Sequence, residues 1–162
     1  MWVARFLVDP SAILPSWMHG VVLVIHEAGP FITPFGGFSS LLGGTFWQVA
    51  LPLAFVAYFA LTRQPFSAAL LLFWVSFSLA DAAVYFGDAR ERLLPLITFD
   101  RDSHDWWNLL LILDLFRQDD LLATLFRIQA FGFFLAGLIF AARSVLLRAA
   151  DAVDDMHLVT GS

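Results

Sequence analysis

The chain has 162 residues, of which 60% are hydrophobic and 14% charged, with a net charge of −5. Soluble domains carry closer to a quarter charged residues, so this balance and a mean hydropathy of +0.78 exclude one. All nine basic residues are arginine, which leaves no polybasic surface for nucleic acid or anionic lipid, and the lack of cysteine excludes disulfides and thiolate metal sites.

Taken along the chain, this composition implies one all-α integral membrane domain over residues 1–150. Its expected form is a bundle of about four transmembrane helices, followed by an acidic polar tail over residues 151–162. Met1 to Val8 lacks a charged region leading to a small-residue cleavage site, and it reads as an interfacial segment retained in the mature chain. The apolar spans are expected over 13–29, 41–61, 66–86 and 121–147, each near the ~20 residues a bilayer requires. Arg63-Gln64-Pro65 makes a tight polar turn, so the second and third spans form an antiparallel hairpin.

Two stretches between spans read differently. Residues 29–44 are rich in glycine and proline yet apolar, which predicts a re-entrant or surface-lying loop. Residues 88–120 form the long polar connection, and within it Trp106 to Leu113 predicts a short helix lying in the interface. The tail from Asp151 is expected to be loosely ordered.

The end of the first span carries His26-Glu27-Ala28-Gly29-Pro30. In the H-E-x-x-H helix of zinc proteases, two histidines four residues apart bind the metal and the glutamate activates its water. Here the first histidine and the glutamate are present, and Pro30 stands where the second histidine would be. Proline offers no ligand atom and tends to end a helix at the preceding residue.

The expected topology gathers the polar residues at one end. His26 and Glu27 close the first span, Gln48 lies inside the second, Asp81 and Asp88 end the third, and Arg127 begins the fourth. Ser103-His104-Asp105-Trp106 lies in the connection on the same side. Ionisable residues in apolar helices face a cavity or each other, and Asp81 is expected to pair with Arg127 or with an arginine of the connection. Orientation is nearly balanced. Arg5, Arg63, Arg143 and Arg148 fall on one side and Arg90, Arg92, Arg101 and Arg117 on the other; the short turn at Arg63 tips both termini toward the cytoplasm.

His26-Glu27-Ala28-Gly29, Leu42 to Gln48 followed by Leu51-Pro52-Leu53, the Asp81 to Arg90 stretch and His104-Asp105-Trp106 recur in an order that resembles a family. It is the group of small bacterial membrane proteins related to site-2-protease-like zinc metallopeptidases. The resemblance covers residues 21–111. It implies a third metal ligand from a later element, for which Asp81 and His104 are the matching candidates beside His26.

Three functions follow. The degenerate motif favours a non-catalytic membrane protein with no cofactor, an accessory or scaffold subunit of a larger membrane complex. Its expected setting is an energy-transducing assembly in the bacterial inner membrane, with lipid and other membrane subunits as partners and no nucleic acid. The first alternative is an active zinc metalloprotease holding Zn through His26, Asp81 and His104, with Glu27 as catalytic base. The second is a small transporter or cofactor-binding bundle built on the polar cluster. For the scaffold, Gly132 and Ala136 supply small-xxx-small spacing and the expected contact line on the fourth span.

Overall fold

A computed structural model describes residues 2–33, 36–96 and 100–160, with side chains described over residues 4–150 of these. Among the described residues the regular elements are helices: α1 Trp2–Val8, α2 Trp17–Ile32, α3 Gly37–Leu61, α4 Pro65–Gly87, α5 Asp105–Ile112 and α6 Asp119–Thr160. Short 3-10 turns occupy Pro10–Ala12 and Arg101–Ser103. Three helices are long and apolar enough to cross a membrane: α3, α4 and the Asp119–Ala150 part of α6.

The central element is α4. Two thirds of its apolar window (67%) is buried inside the protein, against 22% in α3 and in α6, so the outer two helices flank it and turn most of their surface to lipid. Its sequence suits the position. Pro65 opens the helix, where a missing N–H costs nothing. Buried small residues, Ala68, Ala69, Ser76, Ser78, Ala80, Ala82 and Ala83, then let neighbours approach closely. The hairpin to α3 closes through Arg63 at a positive φ of 57°. On the opposite side α6 runs antiparallel: Ser76 Oγ donates to Ala130 O at 2.7 Å, and Phe73 packs on Gly137.

The N-terminal elements cover only part of α4. The α1 helix docks through Phe6, whose ring meets Phe77 edge-on at 4.9 Å. The α2 helix runs parallel to the C-terminal half of α4, from Trp17 beside Trp74 (6.0 Å) to His26 beside Tyr85 (5.4 Å). With 16 residues it rises about 24 Å, short of the ~30 Å hydrocarbon core. Its contact with α3 is glycine on glycine. A Cβ on Gly29 would collide with the Gly43 carbonyl group, and one on Gly44 would lie 2.5 Å from His26 Nε2.

Several local expectations change. The irregular stretch expected over 29–44 is mostly helical, and the break shrinks to 33–36, of which 34 and 35 lie outside the described residues. Pro30 does not end α2 at Gly29; it sits in the last turn, which runs to Ile32 and is closed by the Thr33 N–H and hydroxyl, both donating to Gly29 O. The α5 helix packs inward, with Trp106, Leu109 and Leu110 buried against Ala82, Phe86 and Ala89 of the α4 end. Arg90 clamps the following turn to the start of α6 through a bidentate pair with buried Asp119, at 2.9 and 2.8 Å. From Asp151 the chain is helical rather than loose, because nothing between Gly137 and Gly161 breaks α6. Gly132 and Ala136 do not share one outer line: a Cβ at Gly132 would meet nothing, whereas Ala136 packs on the core.

The glycine contact gives a direct test. Gly29→Ala should destabilise the fold by about 1–3 kcal/mol, because the clash is with backbone rather than a movable side chain. Gly132→Ala, in open space, should leave thermal unfolding in detergent unchanged within about 0.5 kcal/mol.

Candidate functional site

The polar residues meet at the end of the bundle away from the Arg63 turn. Two histidines on α2, seven residues apart, share one face. His19 Nδ1 lies 2.6 Å from Asp81 Oδ1 on α4. His26 is buried between three elements: Nδ1 is 2.9 Å from Gln48 Oε1 on α3, and Nε2 is 3.3 Å from Asp105 Oδ2 at the start of α5.

The hydrogen-bond directions follow from one backbone group. Gln48 Nε2 donates to Ser78 O, a carbonyl that can only accept, so Gln48 Oε1 must face the imidazole. His26 Nδ1 therefore donates to it. Nε2 is then the free lone pair of a neutral ring, and its contact with Asp105 needs one proton on either the nitrogen or the carboxyl oxygen.

Tyr85 ties this pair to the next. Its hydroxyl accepts from the Asp105 N–H at 3.1 Å, and its ring stacks on His104 at 4.2 Å. His104 is fully buried and caps α5, its Nδ1 accepting from the Trp107 N–H, so Nε2 carries the proton of the neutral ring. That Nε2 stands 3.6 Å from Asp88 Oδ2, beyond hydrogen-bond reach. The Asp88 carboxylate instead accepts the Leu93 and Leu94 N–H groups. Burial pushes the His104 pKa below the ordinary histidine value.

A cavity of about 140 Å³ opens beside the layer, lined by His19, His26, Glu27, Gln48, Asp81 and Tyr85 against Leu14, Leu23, Val84 and Leu94 to Leu96. It has room for a few waters. Glu27 is exposed, whereas His26, Gln48 and Asp81 are buried.

The three candidate ligands thus lie at one end of the bundle, each with a different partner. His26 is held by Gln48 and Asp105, Asp81 by His19, and His104 by the Trp107 amide. Among the described residues no three His, Asp or Glu side chains converge at the spacing a metal ion needs, so the donor set does not fit the zinc centre implied by the resemblance. Asp81 does not pair with Arg127, which lies exposed beside Phe6, Pro10 and Ile13. The residue that sequence reasoning missed is His19; its signal was the seven-residue spacing to His26. Comparison with family models, with curated proteins and with solved structures finds no match to this chain.

The lowered His104 pKa sets a pH dependence. The unfolded chain binds a proton that the buried ring resists, so stability is full above about pH 6.5 and falls as the pH drops below it. His104→Asn keeps a side chain able to cap α5. Thermal unfolding in detergent between pH 7 and 5 should show a smaller loss for this variant than for the unmodified chain.

Proposed function

We propose that this is a non-catalytic integral membrane protein, in which a zinc-protease-like motif has become a structural lock and which acts as an accessory or scaffold subunit through its lipid-facing helices. The observation that carries this is His26. Both of its ring nitrogens are engaged within the chain, and Gly44 lies against the nitrogen a metal would need. Asp81 and His104 are committed elsewhere, so supplying the missing second histidine alone would not assemble a site.

The distribution of charge speaks against the transporter alternative. On α4 no ionisable residue lies between Pro65 and Ala80, and on α6 none lies between Arg127 and Arg143. On α3, Tyr58 is the one titratable group from Gln48 to Leu61. A proton or ion relay across a bilayer is built from chains of such groups, and here the chain stops halfway. The family relationship, the inner-membrane location, the cytoplasmic termini and the company of other subunits in an energy-transducing complex belong to the same proposal. They rest on the motifs and the apolar helices.

Metal content tests it. The purified protein should hold well under one zinc per chain, and Pro30→His should not raise it. One tightly held zinc per chain, lost in His26→Ala, would contradict the proposal.

A further inference from the structure

At the end opposite the polar layer, the three spanning helices carry three arginines and no carboxylate. Arg63 lies in the turn between α3 and α4, and Arg143 and Arg148 lie on α6. No Asp or Glu occurs from Ala28 to Ala80 or from Leu121 to Ala150, and the next on α6 is Asp151. Among the described residues these three arginines form no ion pair, whereas Arg5, Arg90 and Arg92 each do. The sequence holds no basic run; the fold assembles the group from two distant segments.

Two adjoining hollows lie between this turn and α6, and Arg63, Pro65 and Leu147 line both. The first, of about 340 Å³, adds the polar side chains of Gln64, Ser67, Ser144 and Arg148. Arg148 is held there by Phe66, with its guanidinium 5.5 Å from the ring centre. The second, of about 410 Å³, adds Arg143 at one wall and the apolar Ala60 and Phe140 at the other. From Leu147 to Phe140 it follows α6 about 10 Å toward the middle of the bundle. The start of α4 adds to the positive charge: Gln64 provides no side-chain cap, and the Phe66 and Ser67 N–H groups have no backbone acceptor.

The turn carries arginine where glycine is usual. Arg63 follows Thr62, the C-cap of α3, in the left-handed region at φ 57°. The shape of the turn therefore does not call for a long cationic side chain, yet this residue is the arginine that borders both hollows. Arginines that merely mark the end of a span would be interchangeable with any other at the membrane surface. A shared pair of hollows makes their positions matter.

We infer that the two hollows hold one anionic phospholipid, its phosphodiester beside Arg63, Arg143 and Arg148 and an acyl chain along Leu147 and Phe140. Charge selects the headgroup. Arginine forks bind phosphate oxygens through paired charge-assisted hydrogen bonds, and a zwitterionic headgroup would bring its own cation against them. The split in polarity selects the source. A free phosphate or an acidic peptide would satisfy the arginines and leave the apolar hollow below them unfilled. A phospholipid presents phosphate at the end of a span and hydrocarbon beneath it, in the order in which the two linings occur. The site lies at the far end of the bundle from His26, and it goes beyond the scaffold proposal without resting on it.

The full-length protein, stripped of lipid in a neutral detergent, would be titrated with phosphatidylglycerol and with phosphatidylcholine, and bound lipid counted by native mass spectrometry. One phosphatidylglycerol should bind per chain, about tenfold more tightly than phosphatidylcholine. Arg63→Gly suits the left-handed backbone, so it should unfold no more easily than the unmodified chain and yet lose about tenfold in phosphatidylglycerol affinity. Arg148→Gln should lose as much, whereas Arg127→Gln, an arginine outside the hollows, should bind as the unmodified chain does. Affinity unchanged in Arg63→Gly and Arg148→Gln, an equal loss in Arg127→Gln, or no preference over phosphatidylcholine would overturn the inference. Displacement of the lipid by excess inorganic phosphate would overturn it too, in favour of a site for free anions.

Discussion

One hydrogen-bond chain fixes the rest of the structure: Ser78 O on α4 accepts from the Gln48 amide on α3, whose oxygen accepts from His26 on α2. All three groups are buried, and a buried polar group without a partner costs about 1–3 kcal/mol, so the three helices have one mutual register in which each is satisfied. The glycines make that register sterically possible. Gly29 and Gly43 bring the α2 and α3 backbones into contact, and Gly44 leaves the space that the imidazole fills. Once His26 is placed, its remaining nitrogen receives Asp105, which positions α5 and through Tyr85 the buried His104. His26 thus ties α2 to α3 and to the start of α5.

The same arrangement divides the molecule along the membrane normal. At the end with the long connection, α2, α5 and the N-terminal turn pack around the polar layer. At the other end, α4 has only α3 and α6 beside it, and the described surface there is apolar up to the arginines at 63, 143 and 148. Polar groups are costly in hydrocarbon, and at this end the side chains of the layer turn to one another and to backbone groups: His19 to Asp81, His26 to Gln48 and Asp105, Gln48 to Ser78 O, and His104 to the Trp107 amide.

The large features were legible in the sequence because they depend on composition and length. Apolar stretches of ~20 residues, the Arg63-Gln64-Pro65 turn and the tryptophan-rich short helix all report solvent preference, which is a local property. The gathering of His26, Gln48, Asp81 and His104 at one end followed from alternating the direction of successive segments. What sequence could not reveal was pairing. Asp81 takes His19 rather than Arg127 because α2 lies parallel to α4 and starts halfway along it, a placement set by the glycine contacts and not by any pattern around residue 81. Pro30 likewise read as a helix end, yet in the last turn it forfeits one backbone bond that the Thr33 cap helps to offset. The helical tail was missed because its aspartates suggested a solvated segment, whereas α6 runs on to Thr160.

The central claim is that His26 is held by protein groups at both nitrogens. Nitrogen-15 NMR of the histidine-labelled protein in detergent addresses it atom by atom. The His26 signals should show a protonated Nδ1, and both nitrogens should remain unmoved when zinc is added in excess; Gln48→Leu should shift Nδ1. A change at His26 Nε2 that saturates with one equivalent of zinc would show that the nitrogen is free to bind metal, and would contradict the account.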